Sequence, residues 1–167
     1  DVMEEIAIYR DTLDIRHFFF VDDTFNHPEH HAVDVCEAIL ESEREIEWFT
    51  ELTPAAMSDK LMRLMKRSGC TGVTLTPDAC SEPVLNAYGK PFTMEEVRLS
   101  VELLKRHDIP FDTCVIVGGP GETAQTFDET IEFCIEHLRN EVVRFYDGMI
   151  IDPGTRAYDI SVREGLI

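Results

Sequence analysis

The residues of this chain best suited to chemistry are carboxylates and glycines that fall where apolar runs end. Gly118-Gly119-Pro120-Gly121-Glu122-Thr123 closes the run Phe111 to Val117. Its glycines permit positive φ and a close approach of backbone to a ligand. It lacks the Gly-Lys-Ser/Thr of a phosphate loop and the Rossmann glycine spacing, so the alternative is a tight strand-to-helix turn. Asp22-Asp23-Thr24 closes His17-Phe18-Phe19-Phe20-Val21. Two adjacent carboxylates there suit a metal, a ligand amine or a ligand hydroxyl, and are costly unless paired or solvated. The competing expectation is a plain turn, with Asn26 as a helix cap. Glu51 interrupts an apolar strand end, where it either accepts two ribose hydroxyls or stands outward in water. Asp78, in Thr76-Pro77-Asp78-Ala79, is either a ligand contact or an ordinary turn and cap residue.

Other chemistries are weakly represented. His27, His30 and His31 sit near helical i, i+3, i+4 spacing, but Glu29 is not placed as in His-Glu-x-x-His, and a solvated first turn explains them better than zinc. No Gly-x-Ser-x-Gly elbow occurs. The cysteines are Cys36, Cys70, Cys80, Cys114 and Cys134, an odd number with no Cys-x-x-Cys pair. That argues against a disulfide framework or a self-contained zinc site and points to a reducing, cytoplasmic setting. The cysteines read as small buried hydrophobes, Cys36 and Cys134 on apolar helix faces.

The elements that must position these residues alternate in type. Val2, Ile6, Tyr9 and Leu13 recur at helical spacing. Strands are expected at His17 to Val21, Ile46 to Leu52, Val73 to Thr76, Phe111 to Val117 and from Val142 to Tyr146. Between them, Ala32, Val35, Cys36, Ile39 and Leu40 form a helix stripe, and Ser58 caps a helix bearing Leu61, Leu64 and Met65 that ends at Gly69. Thr93 to Glu96 and Thr126 to Glu129 each match a capping box. The second of these begins a helix with Phe127, Thr130, Ile131, Cys134, Ile135 and Leu138 on one face. Strict alternation implies an α/β fold of parallel strands with right-handed crossovers, as an open doubly wound sheet or a curved, barrel-like one. Both layouts gather the strand-end loops at one mouth, so Asp22, Asp23, Glu51, Asp78 and Gly118 to Glu122 are expected to converge.

The chain has 167 residues, enough for one domain with a core. Its 15 Lys and Arg against 33 Asp and Glu give a net charge of −18. That excludes a broad cationic face for nucleic acid or anionic lipid. No apolar run approaches the roughly 20 residues of a membrane span, and Asp1 to Arg10 shows no export signal.

Four segments together resemble radical S-adenosylmethionine (radical SAM) enzymes. Gly-Gly-Pro-Gly-Glu-Thr with Gln125 to Thr130 looks like the loop after their fifth strand. Val84-Leu85 with Gly89-Lys90-Pro91-Phe92-Thr93-Met94-Glu95-Glu96 resembles a second family segment. Phe20 to Asn26 resembles a strand-end motif of the cobalamin-dependent branch, and Pro153-Gly154-Thr155 with Glu164-Gly165-Leu166-Ile167 resembles the family's ending. The resemblance implies a partial (β/α)6 TIM-type barrel, with residues 1–167 forming strands two to six of the core domain and the opening helix following an absent first strand. The family's Cys-x-x-x-Cys-x-x-Cys motif is not present, so the ligands of a [4Fe–4S] cluster would lie outside this chain.

By position, the resemblance assigns cofactor contacts to Asp22, Asp23, Glu51, Asp78, Lys90, Gly118, Gly119, Pro120 and Gly121. Asp22 and Asp23 fall where the family receives the methionine amine, Glu51 where some members bind ribose, and Lys90 where some pair with the methionine carboxylate. Thr53 replaces an Arg often seen after the third strand. The implied activity is reductive cleavage of S-adenosylmethionine by an oxidoreductase or methyltransferase acting on a small molecule, with cobalamin as a further cofactor from a separate domain. The fragment alone would be inactive. A missing first strand would leave Phe18 to Val21 as an open edge, favouring a homo-oligomer. The residues alone leave two other readings open: a cluster-free, metal-dependent barrel enzyme using Asp22, Asp23 and Glu51, and an acidic interaction module.

Overall fold

In the computed structural model, which describes residues 2–22, 24–165 and 167, period-two burial along the strands separates the sheet's two faces. On β2 (Glu47–Leu52), Trp48, Thr50 and Leu52 are buried, while Glu47, Phe49 and Glu51 are not. The same alternation runs through β1 (His17–Phe20) and most of β4 (Phe111–Val117), whereas the central β3 (Cys70–Asp78) is buried on both faces from Gly72 to Leu75. β5 (Val142–Asp147) is largely exposed. All pairings are parallel and the strand order is β1-β2-β3-β4-β5. Sequential parallel order with right-handed crossovers stacks the connecting helices on one face. Those helices are α2 (Glu29–Glu41), α3 (Asp59–Arg67), α4 (Glu82–Tyr88), α5 (Met94–Arg106) and α6 (Ala124–His137), with α1 (Val2–Leu13) before β1 and α7 (Arg156–Arg163) after β5.

The core lies between sheet and helices. Trp48, 1% exposed, packs on Phe20 and Phe25 with ring centroids 5.0 and 5.2 Å away, and its indole N–H donates to Ser68 O at 2.9 Å. Such aromatic contacts add about 0.5–1.5 kcal/mol each beyond area burial. Around this cluster Ala32, Cys36 and Ile39 of α2 and Leu61, Met62 and Met65 of α3 are fully covered. Among the described residues, no helix is long and apolar enough to cross a membrane.

Most expected boundaries hold, with four differences. The capping box of α6 is Thr123 with Thr126, not Thr126 with Glu129, so the helix starts three residues earlier. Its inward face is then Thr126, Thr130 and Phe133, and Ile135 points to solvent. Asn26 caps no helix: α2 begins after Pro28, and Asn26 is wholly buried as a clamp. Its side-chain amide donates to Thr53 O (2.9 Å) and Ala55 O (2.7 Å), and its oxygen accepts from Thr53 N (3.0 Å). The third strand is longer than Val73 to Thr76 at both ends: Cys70 and Gly72 already pair with β2, and Asp78 still pairs with Val115 of β4. The short helices α4 and α7 carry too few apolar repeats to show in the sequence.

Candidate functional site

The carboxyl ends of β2 and β3 and the connection between α4 and α5 enclose a cavity of about 400 Å³. Glu51, Asp78 and Lys90 line it together, with His27, Phe92 and Cys114. Glu51 comes from the open face of β2, opposite Thr74 of β3. Asp78 ends β3 in the left-handed region, φ +62°, a conformation that Asp tolerates better than most side chains. α4 stops at Gly89, φ +72°, whose left-handed geometry lets Lys90 N bond back to Leu85 O at 3.0 Å. The chain reversal brings the Lys90 ammonium onto the Asp78 carboxylate, the two side chains being 25% and 23% exposed. The ammonium also stands 5.9 Å from the centre of the Phe92 ring.

Cys114, on the open face of β4, completes the group. Its thiol donates to Asp78 Oδ1 at 3.7 Å. Burial first, then the Asp78 and Glu51 carboxylates, push that thiol up to about 12, so it serves as a neutral donor. On the same face Arg144 of β5 pairs with Asp112 of β4 and donates to Thr74 at 3.0 Å, tying three strands together. Asp112 Oδ1 is left buried without a partner.

The remaining assigned residues lie apart from this group or border it. Asp22 lines a separate cavity of about 440 Å³ with α1, β1 and α2 residues, and Asp23 lies outside the described residues. Pro120 lines a cavity of about 270 Å³ that shares Asp78 and Lys90 as a wall. Gly118 and Gly119 line a third space with Glu122 and Phe127. Gly118, φ +86°, donates its N–H to the Glu122 carboxylate. Gly119 and Gly121 face α4: a Cβ on Gly119 would stand 2.1 Å from the Tyr88 hydroxyl, and one on Gly121 2.7 Å from Ala87 Cβ. Packing against α4 therefore requires these two glycines whether or not a ligand does. His27 and His31 line different cavities, and among the described residues no group of three His, Cys, Asp or Glu is arranged to hold a metal.

Sequence reasoning did not single out Asn26 as a clamp, Tyr88 under the glycine loop, or Arg144. Asn26 sits inside a segment it did quote, and a buried Asn after an aromatic was the available signal; Tyr88 and Arg144 carried none.

The family model described as Radical SAM superfamily matches residues 1–134. This chain belongs to that superfamily. An uncharacterised methyltransferase of Pyrococcus horikoshii is 25% identical over 170 residues, 99% of this chain and 36% of that protein. The tRNA-2-methylthio-N(6)-dimethylallyladenosine synthase of Pelobacter propionicus is 33% identical over 132 residues, 74% of this chain and 28% of that protein. The chain thus spans about a third of the length of these relatives. Among solved structures, the radical S-adenosylmethionine methyltransferase TsrM of Kitasatospora setae, with cobalamin and a [4Fe–4S] cluster bound, superposes with a TM-score of 0.81 at 21% identity, covering 96% of this chain and 30% of TsrM. The cobalamin-dependent radical enzyme OxsB superposes with a TM-score of 0.73 at 13% identity, covering 99% of this chain and 31% of that one. The five-stranded open sheet is therefore the partial barrel expected from the resemblance.

Proposed function

We propose that residues 1–167 are a core-domain piece, strands two to six, of a radical SAM enzyme that reductively cleaves S-adenosylmethionine and acts on a small molecule in the reducing cytoplasm. The observation that carries this is the convergence of Glu51, Asp78 and Lys90 on one strand-end cavity in a chain of this family. S-adenosylmethionine has a sulfonium, an ammonium, a carboxylate and two ribose hydroxyls. Two carboxylates and one ammonium make a cavity with net negative charge, complementary to a ligand of net positive charge. Glu51 is suited to accept the ribose hydroxyls, Asp78 the ammonium, and Lys90 to hold the carboxylate. Phe92 and the neutral Cys114 thiol limit water around them. When bound, S-adenosylmethionine supplies a sulfonium that one electron can cleave.

The cluster does not fit these residues. The cysteines stand on α2, the start of β3, the β3–α4 turn, β4 and α6, so its ligands would lie outside this chain. The likeness to TsrM, a methyltransferase with cobalamin bound, and to the Pyrococcus methyltransferase favours methyl transfer as the outcome, with the corrinoid held by another domain.

The test is calorimetric titration of S-adenosylmethionine into the anaerobically reconstituted whole enzyme. A charge-assisted hydrogen bond contributes about 1.5–3 kcal/mol, so Lys90→Ala should weaken binding on the order of 10- to 100-fold. Glu51→Gln should weaken it less, and His30→Ala not at all. Wild-type affinity in both Lys90→Ala and Glu51→Gln would remove the site assignment. The chain alone should show no reductive cleavage and only feeble binding. β1 is a sheet edge with Phe19 53% exposed, so light scattering of the chain alone should show a defined oligomer rather than a monomer.

A further inference from the structure

The Pro153-Gly154-Thr155 turn has no task in the reaction proposed above, yet it aims one side chain. Gly154, φ +89°, turns the chain after β5. Thr155 then caps α7: its hydroxyl donates to Asp152 O at 2.7 Å and accepts from Tyr158 N at 3.2 Å. Arg156, the first residue of α7, is thereby carried back to the end of α4. A Cβ on Gly89 would lie 3.3 Å from Arg156 Nη1 and 3.8 Å from its Cδ, so the side chain lies across that glycine, beside the start of the Lys90 turn.

Arg156 is also unpaired. Most cations of this acidic chain face a carboxylate, Lys90, Arg106 and Arg144 among them. The Arg156 side chain has no ion pair or hydrogen bond among the described residues. It lines the cavity of about 270 Å³ whose wall toward the Glu51 cavity is the Asp78–Lys90 pair. The remaining lining is mostly apolar: Ile116 of β4, Met149 and Ile150 after β5, and Ile160 of α7. An apolar chamber with few polar groups is the composition of a small-molecule pocket. One guanidinium balances one negative charge, and its planar fork matches a carboxylate. The Asp78 carboxylate in the shared wall disfavours a doubly charged phosphate. The volume falls below the roughly 300–1,000 Å³ usual for ligand pockets, so the chamber suits a compact molecule rather than a tetrapyrrole or an oligonucleotide.

We propose that this cavity binds the small molecule acted upon, and that this molecule is a monocarboxylate with a compact apolar body. Its carboxylate sits on Arg156 and its body lies against Ile116, Met149 and Ile160. Calling the acid the substrate rests on the reading that S-adenosylmethionine occupies the adjoining cavity; the binding of the acid does not. The two molecules then lie on opposite sides of one ion pair, with Asp78 and Lys90 in the wall of both cavities. A cation on one side and an anion on the other attract each other across it.

The probe is 3-phenylpropionate, with 3-phenylpropionamide as its uncharged counterpart, each titrated into the full chain and followed by saturation-transfer NMR. The acid should bind about tenfold more tightly than the amide, the worth of one charge-assisted contact. Arg156→Gln, at an exposed position, should abolish that preference. Ala157→Phe places a ring in the cavity and should abolish binding of both probes with the circular dichroism spectrum unchanged. In the reconstituted whole enzyme, Arg156→Gln should leave the affinity for S-adenosylmethionine unchanged, and saturating 3-phenylpropionate should not displace it. Equal affinity of acid and amide, or an undiminished preference in Arg156→Gln, would overturn the proposal. Displacement of S-adenosylmethionine by the acid would overturn it too, because the cavity would then belong to that molecule. Wild-type affinity for S-adenosylmethionine in Lys90→Ala and Glu51→Gln, with acid selectivity intact, would support the acid site and remove only the reading of the adjoining cavity.

Discussion

Gly119→Ala isolates the contact that seats the glycine loop on α4. A Cβ at Gly119 would lie 2.1 Å from the Tyr88 hydroxyl and 2.7 Å from ring atoms Cε1 and Cζ. The whole ring, not just its tip, must therefore move. Overpacking of this kind costs about 1–3 kcal/mol. The backbone of Gly119 is not among the left-handed glycines, so replacing it adds no φ strain there and restricts the unfolded chain, which offsets about 0.4–1 kcal/mol of the loss. The net expectation is a destabilisation of about 1–2 kcal/mol. With Tyr88→Ala already in place, the clash is gone and the same substitution should become neutral or stabilising by up to about 1 kcal/mol. A double-mutant cycle by urea unfolding, followed by circular dichroism, reads this change of sign. Tyr88→Phe should cost little, because the hydroxyl it removes is buried with no partner. An equal effect of Gly119→Ala with and without Tyr88 would show that the loop does not rest on the ring.

Asn26→Ala should destabilise the chain by about 3 kcal/mol or more, because it strands Thr53 N, Thr53 O and Ala55 O in a buried site; denaturant melts would show it. Gly69→Ala should cost more than a helix-interior change, since φ is +97° and the new Cβ would lie 2.0 Å from Ile46 O; the same melts measure it. Alkaline titration should show Cys36 and Cys70 resisting ionisation until about 11 and about 12, against an ordinary value of 9.0. The unfolded chain releases these protons first, so folded stability should be fully present below about pH 9 and fall as pH rises through the folded values. A stability plateau across that range would contradict the burial of both thiols.

The legible part of the fold was the part written in local periodicity. Phe111 to Val117 matched its strand to the residue, because an apolar run ending in glycine has few alternatives. Ser58 and the Thr93–Glu96 box began helices where their chemistry requires. The α6 start was misplaced because two overlapping Thr patterns compete, and only tertiary packing of Phe133 decides between them. Asn26 looked like a cap because a buried clamp and a cap use the same side-chain chemistry; the difference lies in Thr53 and Ala55, on another loop.

The site was legible to a lesser degree for a related reason. Glu51 and Asp78 could be placed at strand ends from the pattern alone, but nothing local says that Lys90, twelve residues past Asp78, turns back onto it. That return depends on Gly89 ending α4 in the left-handed region, and α4 is too short to announce itself. The glycine loop misled in the opposite direction. Its composition suggested ligand contact, yet Gly119 and Gly121 are already accounted for by Tyr88 and Ala87. A glycine-rich loop records only that something comes close to the backbone; in this chain, at two of its positions, that neighbour is the protein's own helix.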